Sequence, residues 1–185
     1  MFGEIVFFIA LFITPQSAPQ VYEEAAAYEV YAAILPTEWP ITVSHAKQLV
    51  IRRETRAYKI CLKPEKEFEG KVGPAISDYV EQNKREWWLQ PKVSIELPYQ
   101  FLQAASVSKL LVHGQWDEYY RLYPESGGLI ELSAVGFNQD RTVAVVYMGH
   151  MCGQLCGGGT FHVLEKVDGR WQPLKWNGSS CSWAS

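Results

Sequence analysis

The sequence predicts an α+β domain in which an antiparallel sheet, a C-terminal meander of about four strands, is covered by N-terminal helices. Three observations lead there. Before residue 124, apolar residues recur at three- and four-residue intervals. From residue 129 the apolar runs become short and either alternate or are apolar throughout. Glycine, asparagine and aspartate cluster where those later runs end.

Val21, Ala25, Tyr28, Ala32 and Leu35 form an amphipathic helical stripe over 21–35, which Pro36 and Pro40 end with Trp39 between them. The run 48–55, centred on Leu49-Val50-Ile51, reads as a strand. Residues 74–88 read as a second helix with Pro74 in its first turn, where a missing N–H costs nothing. Strict alternation over 93–97 reads as a half-buried strand. Trp116, Tyr119, Tyr120 and Tyr123 share one face of a third helix, an aromatic stripe of the kind that packs a core; Pro124 and Gly127-Gly128 end it.

Beyond it, 129–135 reads as a strand, and Gly136-Phe-Asn-Gln-Asp140 carries turn chemistry. The run 142–148 is apolar on both faces, as a central strand covered on both sides should be. Strand 160–166 follows, and Asp168-Gly169 is a hairpin turn. Residues 170–176 form an edge strand, because Pro173 cannot donate to a central ladder.

A chain of 185 residues suits a signal peptide over 1–18 and a single α+β domain over 19–185. The apolar run 5–13 matches a secretory core and falls well short of the roughly 20 residues that span a bilayer. Ser17 and Ala18 are small enough for cleavage, although Glu4 and Gln16 depart from the usual pattern and no Lys or Arg precedes the run. With the leader removed, no stable membrane span is expected. A net charge of −3 argues against nucleic acid as a partner. The densest basic run, Arg52-Arg53-Glu54-Thr55-Arg56, is broken by an acid and reads as a solvated strand face.

All four cysteines, Cys61, Cys152, Cys156 and Cys181, follow the leader. An even count in an exported chain implies two disulfides, with three connectivities open. Two of the four lie in the glycine-rich stretch Met148-Gly-His-Met-Cys-Gly-Gln-Leu-Cys-Gly-Gly-Gly-Thr160, between two predicted strands. A Cys152–Cys156 bridge would staple that hairpin, and Cys61–Cys181 would then be the second bridge by elimination. The same stretch admits other chemistry. His150, Cys152, Cys156 and His162 offer four nitrogen and sulfur ligands, the number tetrahedral zinc takes, in a spacing that is not a common finger pattern. A redox pair would want two intervening residues at a helix start, and Gly157-Gly-Gly159 as a phosphate cradle would want a helix after it. His45 and His113 are isolated.

From residue 116 to the end, the chain carries Trp116…Tyr119-Tyr120…Tyr123-Pro124, then Leu132-Ser-Ala-Val-Gly136-Phe-Asn138 and Ala144-Val-Val-Tyr147. It continues with Cys152-Gly-Gln-Leu-Cys156-Gly-Gly-Gly159, Leu164-Glu-Lys166, Gly169-Arg-Trp171 and Trp183-Ala-Ser185. In this combined pattern it resembles an uncharacterised family of exported bacterial proteins. The resemblance implies an exported location and a shared fold over 116–185, and carries over no catalytic residue. Ala134 stands where similar proteins often have arginine, so any role of that base is absent or moved here.

No catalytic motif and no cofactor emerge. The sequence therefore reads as an exported disulfide-stabilised domain, periplasmic or extracellular. Its expected role is non-enzymatic binding or association with the envelope, with an apolar ligand or a protein as partner. The alternative is a hydrolase or zinc-dependent protein using His150, Cys152, Cys156 and His162.

Overall fold

The computed structural model of the chain describes residues 19–35, 46–111 and 114–185. The predicted leader over 1–18, Pro36 to Pro40, His45 and His113 lie outside the described residues. The elements in chain order begin with β1 (Gln20–Val21), α1 (Ala25–Ile34), β2 (Gln48–Arg52), β3 (Lys63–Pro64), α2 (Lys66–Gln82) and β4 (Trp87–Trp88). β5 (Tyr99–Leu102), α3 (Ala104–Leu111), α4 (Trp116–Leu122), β6 (Ser126–Leu132) and β7 (Gly136–Phe137) follow. The chain ends with β8 (Val143–Gly153), β9 (Cys156–Val167), β10 (Arg170–Pro173), β11 (Gly178–Ser179) and β12 (Ser182–Ala184).

The α+β class holds, but the sheet is mixed. Its order is β10-β9-β8-β6-β2-β5, with β7 on β8 and β12 on β9. From β10 to β6 the neighbours are antiparallel, the expected four-stranded meander. β2, however, lies parallel to both β6 and β5. Parallel neighbours need long crossovers, usually helical. Here α2 lies between β2 and β5, and α3 and α4 lie between β5 and β6. The helices are therefore not confined to the N-terminus, and they cover both faces of the sheet.

Strand parity separates those faces. Leu49, Ile51, Ile130, Leu132, Ala144 and Val146 pack with α1. On the other side, Val143, Val145 and Tyr147 pack on α2 through Val72, Ala75 and Tyr79. Val50 and Leu129 pack on α3 and α4 through Val107 and Tyr119.

The first helical stripe is rotated from its expected position. The buried residues of α1 are Ala27, Tyr28, Val30, Tyr31 and Ile34, whereas Val21 and Ala25 are exposed. Its tyrosines can be buried because their hydroxyls find carbonyls: Tyr31 donates to Ser133 at 2.7 Å and Tyr28 to Tyr22 at 2.7 Å.

The second helix starts at Lys66, eight residues before Pro74, and stops at Gln82; Trp87 and Trp88 leave it to form β4. Pro74 sits in the helix interior. Its missing N–H would have met Gly70, which is exposed and can leave its carbonyl to water, and Gly73 just before it has no Cβ to crowd the ring. Glu67 and Glu69 in the first turn suit the positive end of the helix dipole.

Residues 93–97 keep their alternating burial but form no strand; β5, just after them, takes the edge position beside β2. The turn after Gly136 is made as expected: Asn138 Oδ1 accepts from the backbone amides of Thr142 and Val143 at 2.8 and 2.9 Å. Gly136 lies where a Cβ would run into the α2 backbone at Ala75 and Tyr79, so helix and sheet approach more closely than any other residue allows. The aromatic stripe of α4 packs inward around Tyr119, with Trp116, Tyr120 and Tyr123 ring centroids 5.2–5.3 Å from it.

Candidate functional site

β8 and β9 form the longest pairing of the sheet, and their turn falls at Gln154-Leu155, between the paired residues Gly153 and Cys156. Cys152 and Cys156 face each other across this tip with Cα atoms 5.0 Å apart, in a disulfide. Cys61 and Cys181 form the other, with Cα atoms 5.9 Å apart and a sequence separation of 120. It joins the segment before β3 to the segment before β12. The tip is also held from the side, because Tyr120 on α4 donates to the Cys152 carbonyl at 3.0 Å.

The three glycines after Cys156 belong to β9, where they pair with Met151, His150 and Gly149 on one side. On the other side Gly158, Gly159 and Thr160 pair with β12. Their function is to have no side chains. Gly149 and Gly159 are cross-strand partners on the α2 face, and the Tyr147 ring lies along them. A Cβ at Gly149 would sit 3.1 Å from that ring. One at Gly159 would overlap the tyrosine hydroxyl and lie 2.8 Å from Trp183 Nε1. Into the cleared strip the C-terminal strand brings Trp183, whose indole donates to Tyr147 Oη at 2.6 Å. A phosphate cradle is thereby excluded, since these amides face sheet neighbours and no helix follows. A helix-activated redox pair lacks its helix in the same way.

The zinc quartet is not brought together. His150 is opposite Ile130 and Gly158, whereas His162 is opposite Val146, four residues along the same strand. At about 3.3 Å per residue that places the two histidines roughly 13 Å apart along the sheet, and zinc wants both within about 2 Å of itself. The two cysteines are committed to each other. Among the described residues no group of three His, Cys, Asp or Glu is placed to hold a metal ion. His150 has a packing role instead. Its Nε2 lies 2.6 Å from the Gly127 carbonyl, and burial lowers its pKa even though that carbonyl pulls the other way. The ring is neutral at pH 7 and donates from Nε2. Gly128, in the left-handed region at φ 114°, makes room, since a Cβ there would come within 2.7 Å of the same nitrogen.

The most highly charged part of the interior lies elsewhere, on the α2-to-α4 face at the carboxyl ends of the parallel strands. Glu131 on β6 is fully buried, with its side chain 2% exposed. Its Oε1 accepts from Arg52 Nη1 at 3.3 Å and from Arg56 Nη1 at 3.0 Å, and its Oε2 accepts from the Tyr58 hydroxyl at 3.2 Å. Arg52, whose side chain is 12% exposed, also has Glu54 and Glu86 at 3.9 Å. Glu54 in turn accepts from the Ala104 amide at the start of α3 at 2.7 Å. Tyr58 stacks on Tyr147 with ring centroids 3.9 Å apart. The polar cluster is thus continuous with the aromatic strip that ends at Trp183.

Burial is the largest single influence and works against the charge on Arg56, but Glu131, Tyr58 and Glu86 together outweigh it and hold the guanidinium above its ordinary value. Burial and then the same carboxylate push the Tyr58 hydroxyl well above its ordinary value. The arrangement therefore fixes Glu131 as an acceptor between cations and a neutral phenol. The run Arg52 to Arg56 is accordingly not the solvated strand face its sequence suggested: Arg52 is mostly buried, and Glu54 and Thr55 are buried. Sequence reasoning missed this cluster. The available signal was one carboxylate inside the apolar run Leu129-Ile-Glu-Leu132, which must find partners to be buried.

Among the described residues no helix is long and apolar enough to cross a membrane. The chain matches no family model, no curated protein and no solved structure.

Proposed function

We propose that this chain is an exported domain, cross-braced by two disulfides, that binds a partner molecule and carries out no chemistry on it. The observation that supports this reading best is the pairing of every cysteine. One pair staples the longest hairpin and the other joins residues 61 and 181, as suits a small domain working where thiols are oxidised. The groups with most chemical promise are used to build the fold. Glu131 is engaged on both oxygens, and His150 is turned onto a backbone carbonyl. The glycine run makes room for Tyr147 and Trp183. The resemblance of residues 116–185 to exported bacterial proteins points to the same compartment.

Expression of the full chain in a bacterium, followed by fractionation, tests the location. The reading expects recovery from the periplasm or medium in a form shortened at the N-terminus, with no reactive thiol after denaturation. Recovery from the cytoplasm with four titratable thiols would overturn it.

A further inference from the structure

We propose that the flank of α1 beside the segment 92–97 is one wall of a binding site for a single fatty anion, an unbranched carboxylate of medium chain length. This rests on the reading of the chain as a binding domain. Two cavities, of about 450 and about 760 Å³, lie end to end along α1 and share Ala32 and Ser94. The larger is lined by Leu35, Leu49, Ile95 and Leu97. The smaller reaches Tyr28, Lys92, Arg170 and Trp171. Together they form one groove with an apolar end and a cationic end.

Each wall follows from its sequence. On α1, Ala25, Ala32 and Ala33 contribute only methyl groups to a wall that Tyr28, Glu29 and Leu35 complete. The opposite wall is the extended segment 92–97, whose strand-like alternation turns Ile95 and Leu97 inward and leaves Ser94 and Glu96 exposed. Charge sets the direction of the ligand. Glu29, the carboxylate at the cationic end, is already held by Lys166 Nζ at 2.7 Å and by Trp171 Nε1 at 3.2 Å. Lys92 lies over the Tyr28 ring at 6.0 Å and pairs with the exposed Glu23 at 3.3 Å, a weak partner that a ligand carboxylate can replace. Arg170 is exposed and adds a guanidinium fork suited to a carboxylate. Glu96 lines the apolar end and repels an anionic head there. From Ala25 to Leu35 the helix rises about 15 Å, the reach of an extended alkyl chain of about a dozen carbons.

The test is calorimetric titration of the full chain with octanoate, decanoate, dodecanoate and tetradecanoate, each below its micelle concentration. Affinity should rise about fourfold per added methylene and level off near dodecanoate, where the groove ends. Dodecyltrimethylammonium should bind at least tenfold more weakly than dodecanoate. Lys92→Glu with Arg170→Glu should remove most of that preference for the anion. Ala32→Phe should abolish binding with the urea midpoint unchanged. Vesicles of phosphatidylglycerol should not retain the protein. No binding by dodecanoate, no dependence on chain length, equal binding of the cation, full binding by Ala32→Phe, or retention by vesicles alone would each overturn the proposal. An oxidised, exported chain that ignores fatty anions would overturn this ligand and leave the binding-domain reading standing. A reduced cytoplasmic chain would overturn that reading itself.

Discussion

Glu131→Gln keeps the shape of the side chain and removes one buried charge, so it isolates what the Arg52–Glu131–Arg56 cluster contributes. Breaking a buried pair from one side costs about 3–5 kcal/mol, because the other charge is left uncompensated. The two arginines differ in how much of that they carry. Arg56 is 46% exposed and can turn toward water, so its loss is small. Arg52 is 12% exposed and cannot, although Glu54 and Glu86 at 3.9 Å compensate it in part. The expected cost is therefore near the lower limit, about 3 kcal/mol, or roughly 6–12 °C in melting temperature for a chain of this size. Urea unfolding followed by tryptophan fluorescence measures it, with an unchanged m-value as the sign that only stability moved. The control is Arg52→Met with Glu131→Leu, which replaces the pair by apolar volume and should recover most of the loss. A loss below about 1 kcal/mol for Glu131→Gln, or a double variant no more stable than the single one, would refute the argument that Arg52 is a buried charge dependent on Glu131.

Opening the two disulfides separately should give unequal losses: in the chain-entropy model about 5 kcal/mol for the Cys61–Cys181 loop and about 2 kcal/mol for the Cys152–Cys156 loop, read from urea midpoints of the two double-serine variants. Gly159→Ala should cost about 1–3 kcal/mol, because its Cβ overlaps the Tyr147 hydroxyl, and the near-ultraviolet circular dichroism of Tyr147 and Trp183 should change with it; Gly169→Ala, with open space around its Cβ, should leave that signal intact. His150 gives a pH dependence. Its pKa in the fold lies below the ordinary 6.5, so the unfolded chain binds the proton more readily. Its contribution to stability is complete above about pH 6.5 and is lost as the pH falls from there through the lowered folded value; His150→Gln should flatten that slope in urea midpoints measured between pH 7.5 and 5.

The antiparallel meander was legible because each of its strands carries a local signature. Residues 142–148 are apolar on both faces, Asp168-Gly169 turns the chain, and Pro173 marks the edge. The parallel placement of β2 was not legible, since Leu49-Val50-Ile51 has the same apolar period whichever way its neighbours run. α2 was hidden in its first half by Gly70, Gly73 and Pro74, three residues that usually end helices, although Phe68, Val72, Ala75 and Tyr79 keep a helical spacing through them. In residues 93–97 the alternation correctly gave burial but not pairing, because a side-chain period says nothing about hydrogen-bond partners. At the cysteine stretch, residue types alone left zinc open; register closed it by setting His162 four residues down the strand from His150. Glu131 shows the opposite limit, since its partners Arg52, Arg56 and Tyr58 are more than 70 positions away in the chain.

Peptide mapping shows directly whether the stretch from His150 to Gly159 is a stapled hairpin in a domain held by two disulfides. The protein would be alkylated under denaturing conditions, digested without reduction and examined by mass spectrometry. The expected result is a peptide closed by Cys152–Cys156 and a linked pair joining Cys61 to Cys181, with no alkylated cysteine. Alkylated Cys152 and Cys156, or a link from either of them to Cys61 or Cys181, would contradict it.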